Sequence, residues 1–156
     1  MATIKTEAVI SGAIIAEKPG CVLCSFGHWA YDDEGGGAVD DVIQMCPVPD
    51  NARIIDILVE WPNTFAAGCT FDVGDGDDDD RFLAAISNTA NAGRMSLFGG
   101  LFNSIEIDEA INANGVGYTY TDPDTIDIVT EGAASATGDL FVMCVLYMVE
   151  GFFADE

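Results

Sequence analysis

An acidic segment in the middle of the chain has the residue types that point most clearly to chemistry. It runs from Asp72 to Asp80 and contains six aspartates and two glycines. Hard cations such as Ca²⁺ bind clustered carboxylate and carbonyl oxygens on a sharply turning backbone, and this segment offers both. The sequence therefore predicts a candidate calcium site whose ligands are Asp72, Asp75, Asp77 and Asp79.

The spacing of this segment does not match the calcium loops that are defined by sequence. An EF-hand requires a glutamate at the twelfth position, whereas counting from Asp72 or Asp75 reaches Leu83 or Ile86. The segment is also not a repeated nonapeptide of the kind that stacks calcium in a β-helix. The alternative is a solvated hairpin turn whose glycines permit positive φ. No other cofactor is predicted.

The only histidine, His28, and the pair Cys21 and Cys24 are the next residues to consider for chemistry. They supply three zinc ligands at most, and residues three apart in a strand point to opposite faces. His28 also has no nucleophile or metal set at a recognisable spacing. We therefore predict neither a zinc site nor a catalytic histidine. Most of the five cysteines have apolar neighbours and are predicted to be small buried hydrophobes.

A hydrolase is the remaining enzymatic alternative. Glycoside hydrolysis needs two carboxylates at a fixed separation in a cleft, but a chain with 27 acidic residues contains many such pairs by chance. The glycines at 35–37 and 115–117 lack the lysine or the third glycine of phosphate-binding loops. We therefore predict that the protein is not an enzyme.

The overall charge limits the class of partner. The 156 residues carry 27 acidic and 5 basic side chains, a formal net charge of -22. Binding to nucleic acids and anionic membranes depends on Lys and Arg, so neither partner is expected. The longest apolar run, Leu140–Val149, is about half as long as a membrane-spanning helix, and the first residues do not resemble a signal peptide. We expect a soluble protein made in a cytoplasm.

The elements that position these residues are predicted to be short strands. Runs rich in β-branched and aromatic residues are separated by Gly, Pro, Asp and Asn, and their spacing indicates one all-β sandwich or barrel over residues 1–156. The predicted strands are Glu7–Ala16, Cys21–Tyr31, Val39–Cys46, Ala52–Trp61, Thr70–Gly74, Gly117–Thr121, Thr125–Thr130 and Asp139–Val149. In Thr125–Thr130 the alternation places Ile126 and Ile128 inward and Asp127 on a wet outer face. Asp80–Ile86 and Ile105–Ile111 fit either a helix or a strand.

Two apolar stretches suggest that the chain assembles. Leu140–Val149 has no polar face, so it is either a central strand or has an outer face in a subunit interface. Ser87–Asn103 is predicted to be a loop with apolar residues among glycines, and such residues often dock on a neighbouring subunit. The predicted interface residues are Phe98, Leu101, Phe102, Phe141, Met143 and Tyr147.

The central and C-terminal parts of the chain resemble a known family. Pro49–Ile57 is a proline and small-residue entry into an apolar strand, Gly68–Asp75 is a hairpin containing Val-Gly, and Asp78–Leu83 is an aspartate-rich turn with an aromatic residue. Together with Tyr118–Ile128 and the late apolar strand, this order resembles small jelly-roll proteins of tailed-phage virions.

The resemblance implies a jelly-roll-like β-sandwich, commonly trimeric, that decorates or cements an icosahedral capsid by binding the major capsid protein. The resemblance also implies a location at the surface of the virion. Residues 1–35, which the pattern does not cover, are expected to form an anchoring arm or extra strands. The alternatives are a tail or head-fibre component, and a carbohydrate- or calcium-binding jelly-roll module. Arg53, Arg81 and Arg94 are expected to pair with acidic residues within the chain or across an interface.

Overall fold

The chain folds as a β-sandwich. The computed structural model describes residues 3–6, 9, 21–62, 65, 67–87, 93–97, 100–101, 115 and 117–149. Within them, two five-stranded β-sheets pack face to face around a shared hydrophobic core. The predicted all-β, jelly-roll-like sandwich is confirmed.

Sheet 1 contains the acidic segment. Its strands are β1 (Thr3–Lys5), β3 (Val42–Val48), β5 (Thr70–Gly74), β6 (Leu83–Ser87) and β9 (Asp124–Glu131). Their order across the sheet is β1-β3-β9-β5-β6, with β1 parallel to β3 and the other pairs antiparallel. The residues that follow β5 therefore begin next to β9, a strand from the far end of the chain.

Sheet 2 contains the long apolar strand. Its strands are β2 (Val22–Ala30), β4 (Ala52–Trp61), β7 (Gly93–Ser96), β8 (Gly100–Leu101) and β10 (Leu140–Val149). The order is β2-β10-β4-β7-β8, and every pair is antiparallel. A short helix, α1 (Tyr31–Glu34), follows β2. Strands from both ends of the chain thus interleave in each sheet.

The core is built around Phe141 in β10. Its ring lies 5.7 Å from the Trp29 ring, 4.8 Å from the Phe65 ring and 5.0 Å from the Phe71 ring, measured between centroids. Phe71 in turn packs edge-on against Trp61 at 5.2 Å. These aromatic rings come from both sheets, so the cluster joins the two layers by burying large apolar areas.

Most of the predicted strands agree with the structure. Ala52–Trp61 and Thr70–Gly74 have the predicted bounds, and the segment left open at Asp80–Ile86 is a turn followed by most of strand β6. The prediction of a strand at Gly117–Thr121 is wrong, because that segment forms an isolated bridge between Thr119 and Arg53.

The segment predicted as a loop, Ser87–Asn103, contains strands β7 and β8. The predicted elements Glu7–Ala16 and Ile105–Ile111 lie essentially outside the described residues. Of the N-terminal third, β2 is an integral strand of sheet 2, paired over nine positions with β10. The helix found in the described residues is too short to cross a membrane.

Candidate functional site

The outer face of sheet 2 carries exposed and half-buried apolar side chains. Val22 is 58% exposed and Phe26 is 57% exposed. In the strand register, Cys144 stands between Phe26 on β2 and Leu58 on β4. We call this surface the apolar face, and its residues are Val22, Cys24, Phe26, Leu58, Val142, Cys144, Leu146 and Met148.

The apolar face has a polar border on the side of β4 and β7. The Ser96 hydroxyl donates to both carboxylate oxygens of Asp56, at 2.9 and 2.8 Å. Arg94 Nε lies 2.9 Å from Glu60 Oε1 across the two strands. An apolar centre with a polar rim is the usual anatomy of a protein–protein interface. The face is therefore suited to binding another protein surface.

The interface residues predicted on β10 are wrong. Phe141, Met143 and Tyr147 are buried in the core at 0%, 0% and 1% exposure. Side chains in a strand alternate between faces, so the outward set is the other half of the same run, which includes Val142 and Leu146. Phe98 and Phe102 lie outside the described residues, and Leu101 is described only as part of β8.

Cys24 and Cys144 meet on the apolar face. Their sulfur atoms are 2.8 Å apart and both are free thiols. Burial and the contact with Cys24 raise the pKa of Cys144 to about 12, so its thiolate is scarce at neutral pH. The prediction of buried cysteines is confirmed for Cys46 and Cys69, whereas Cys21 is exposed.

The residues considered for zinc binding and catalysis, Cys21, Cys24 and His28, lie on or next to β2. His28 is exposed on the outer side of β2, opposite Val142. Among the described residues, three possible metal ligands whose ligand atoms all lie within 4.8 Å of one another are found at Asp78, Asp79 and Asp80.

A second candidate site lies on the outer face of sheet 1, where the loop after β5 folds back over the sheet. It is a cavity of about 370 Å³. Its lining residues are Val42 from β3, Asp127 and Val129 from β9, and Asp75, Gly76, Asp77, Asp78 and Asp79 from the loop. We call this cavity the acidic pocket. Three of the four predicted calcium ligands, Asp75, Asp77 and Asp79, line it.

Asp75 anchors the loop. Its carboxylate accepts hydrogen bonds from the backbone N–H groups of Asp77 and Asp78, at 3.1 and 3.0 Å. It also pairs with Arg81 and accepts the Tyr120 hydroxyl at 2.7 Å. Buried at 5% exposure, this carboxylate is fully occupied in holding the turn. Two of the arginines that were expected to form ion pairs do so within the chain: Arg81 pairs with Asp75, and Arg94 pairs with Glu60.

Asp72 has a different structural role. The β5–β6 register shifts between Phe71 and Val73, which marks a bulge opposite Asp72. Ala85 in that bulge has φ of 51°, and its N–H donates to the Asp72 carboxylate. Asp72 thus satisfies a donor that the bulge removes from the strand ladder. It is not among the residues that line the acidic pocket, so the structure separates it from the other three predicted calcium ligands.

Asp127 is the residue at this site that the sequence did not single out. It was expected on a wet face, but it is 1% exposed because the acidic loop covers it. Burial raises the pKa of Asp127 to about 7, and the charges of Asp124 and Asp75 add to this, while the nearby Thr125 hydroxyl opposes it without reaching hydrogen-bond geometry. Its Oδ1 atom has no hydrogen-bond partner. The alternation in β9 predicts the outward direction of the Asp127 side chain. The sequence around Asp127 does not show that a loop from a distant part of the chain covers it.

Similarity to solved structures is found over nearly the whole chain. A chain in the capsid of Ralstonia phage GP4 has a TM-score of 0.69 at 14% identity, covering 96% of this chain and 99% of that chain. A chain in the cyanophage Pam1 capsid asymmetric unit has a TM-score of 0.58 at 18% identity, covering 89% of this chain and 96% of that one.

A chain in the acidic stable capsid structure of Helicobacter pylori bacteriophage KHP30 has a TM-score of 0.50 at 12% identity, covering 87% and 94% of the two chains. At these identities the similarity establishes the fold. No protein-family model matches the sequence, and no curated protein matches it.

Proposed function

We propose that this chain is a structural protein of a phage virion that decorates and cements the capsid by binding the major capsid protein. The observation that carries the proposal is the apolar face of sheet 2, a set of exposed and half-buried apolar side chains from three neighbouring strands, on a sandwich whose structural neighbours are chains of phage capsids. The proposed role is non-enzymatic, and the protein acts at the capsid surface.

The apolar face supports this role because burying it against another protein would be energetically favourable. Large apolar side chains on a sheet face gain free energy when another protein surface covers them. Phe26, exposed at 57%, lies on β2, and its register partner Cys144 lies on β10, the strand between β2 and β4. Aromatic residues, including Phe, are enriched in protein–protein interfaces. We assign this face to the contact with the capsid or with a second copy of the chain.

The charge distribution fits a protein present in many copies. A net charge of -22 keeps assembled particles apart in solution. Symmetry multiplies a modest contact over all equivalent positions of the shell, so each single contact need not be strong. We further propose that the chain binds as a homotrimer, which sedimentation equilibrium on the purified protein measures directly.

The first experiment is quantitative mass spectrometry on purified particles of the virus that encodes this chain. A decoration protein is expected in a simple ratio to the major capsid protein. A handful of copies per particle would instead identify a tail or head-fibre component. Absence of the chain from clean particles contradicts the virion role altogether.

A matched pair of variants tests which surface binds. Phe26→Asp places a charge in the apolar face, and Val39→Asp places one at another exposed apolar residue, 43% exposed. Shells prepared without the chain are mixed with each variant and sedimented. We expect Val39→Asp to cosediment like the native chain and Phe26→Asp to stay in the supernatant. Equal binding of the two variants contradicts the assignment of this face.

A further inference from the structure

The acidic pocket concentrates negative charge. Five of its eight lining residues are aspartates, and none of the eight is basic. The aspartates come from two directions: Asp127 from the sheet and the others from the loop. Asp75 is already occupied by Arg81, Tyr120 and two backbone N–H groups. The remaining loop carboxylates belong to Asp77, Asp78 and Asp79.

Two of these loop carboxylates, those of Asp78 and Asp79, converge with the carboxylate of Asp80, which is not among the lining residues. Oxygen atoms of Asp78, Asp79 and Asp80 lie within 4.8 Å of one another, and the nearest cation to them, Arg81 Nη1, is 3.9 Å from Asp78 Oδ2. Asp77 and Asp79 are exposed. Carboxylates at such separations repel each other unless a cation or a proton lies between them.

The floor of the pocket provides an independent observation. Asp127 is 99% buried, and its Oδ1 atom has no hydrogen-bond partner. Gln44 stands directly opposite Asp127 in the β3–β9 register, and its Oε1 atom also lacks a partner. Buried oxygen acceptors are normally satisfied by a donor. Two adjacent acceptors without one mark a position that an oxygen-seeking ligand fits.

We propose that the acidic pocket binds a divalent cation of the calcium class. Asp127 provides a ligand from β9, and Asp77, Asp78 and Asp79 provide ligands from the loop. Calcium takes six to eight oxygen ligands in flexible geometry, whereas magnesium requires an octahedral cage and retains its water. Several carboxylates on a glycine-containing loop match calcium better.

Bound calcium fastens the loop to the outer face of sheet 1. Because it binds the folded state, it raises the stability of that state with concentration. The experiment is thermal unfolding of the purified full chain, first treated with EDTA, against CaCl₂, MgCl₂ and NaCl at matched ionic strength. We expect calcium to raise the unfolding temperature above the value in NaCl, with a smaller rise in magnesium.

Variants test the assigned ligands. Asp127→Asn keeps the shape of the side chain and removes its charge, and Asp77→Asn with Asp79→Asn alters only exposed positions. Asp50→Asn, at an exposed aspartate outside the pocket, is the control. We expect both ligand variants to fold and to lose the calcium-dependent rise, and the control to keep it. No rise beyond NaCl in the native chain, or an undiminished rise in Asp127→Asn, overturns the proposal. Since this uses the isolated chain, its outcome is independent of capsid binding.

Discussion

At the level of single residues, neighbouring aspartates of one acidic segment perform different tasks. Asp72 satisfies the N–H of Ala85 in a bulge, and Asp75 ties the loop to Arg81 and Tyr120. These partners are 6 to 45 positions away from the aspartates they contact. The sequence identified the acidic segment as unusual, but composition alone does not show which carboxylate meets a donor and which is left to a ligand.

Asp72 is expected to make the stability of the folded protein depend on pH. Burial raises the pKa of Asp72 from 3.8 to about 6, with the charges of Glu131, Asp79 and Asp80 adding to it and the Ala85 N–H opposing it. The folded state therefore holds a proton that the unfolded state has released. The contribution of Asp72 to the free energy of unfolding is therefore fully present below about pH 3.8 and is lost as the pH rises through about 6.

Asp72→Asn is the variant that measures this contribution. The amide oxygen still accepts the Ala85 N–H, but the group no longer titrates. Urea unfolding at several pH values, in buffer with EDTA, compares the two proteins. We expect the free energy of unfolding to fall less steeply between pH 4 and 6.5 in the variant than in the native chain. Parallel curves would show that Asp72 titrates alike in both states.

At the level of elements, strand β10 shows how alternation divides one apolar run between two functions. Phe141 packs against three aromatic rings in the core, whereas Phe26, on the neighbouring strand β2, is 57% exposed. We expect Phe141→Ala to lower the free energy of unfolding by about 3–5 kcal/mol, because it leaves a cavity in the core. Phe26→Ala is expected to change it by less than about 0.5 kcal/mol. Chemical denaturation measures both, and similar losses would contradict the assignment of the two faces.

The strands were predictable where local pattern and tertiary role agree. Ala52–Trp61 and Thr70–Gly74 are β-branched runs between turn residues, and the structure has the same bounds. Leu140–Val149 was also found, but a run without polar residues does not reveal which half faces the core. Gly117–Thr121 has strand-forming residues, yet it pairs with the start of β4 only through the bridge at Thr119 and backbone hydrogen bonds of Tyr118 and Tyr120.

The turn after β5 depends on a glycine for close packing. A methyl group at Gly74 would overlap the backbone carbonyls of Asp78 and Asp79, whereas one at Gly76 would have ordinary contact distances. We expect Gly74→Ala to lower the free energy of unfolding by about 1–3 kcal/mol, as overpacking does, and to weaken the calcium response. Gly76→Ala is the matched control in the same loop and should preserve both. Thermal unfolding with and without CaCl₂ distinguishes them, and a calcium response in Gly74→Ala equal to the native one would contradict the loop geometry.

At the level of the whole molecule, the net charge disfavours association between copies of the chain, whereas the apolar face favours it. The sequence showed the net charge directly and suggested assembly from the apolar run. It did not show that Val22 and Phe26 join Leu146 and Met148 on one face, because β2 and β10 are more than 100 residues apart and become neighbours only in the folded sheet. The binding surface is thus a product of topology and not of any single segment.

This opposition predicts an unusual response of assembly to salt. Two copies with net charge -22 repel each other over the Debye length, about 10 Å at 0.1 M and about 3 Å at 1 M ionic strength. The apolar face contributes attraction that salt does not screen.

We therefore expect self-association to strengthen as NaCl rises from about 50 mM to about 500 mM, in buffer containing EDTA so that calcium has no part. Sedimentation velocity on the native chain measures this, with Phe26→Asp as the control that should stay monomeric at both concentrations. Weaker association at high salt would mean that ion pairs between copies, formed by border residues such as Arg94 and Glu60, rather than the apolar face, hold the copies together. In that case the contact surface lies on the polar border of sheet 2, and the charge of each copy acts through specific pairs and not through general repulsion.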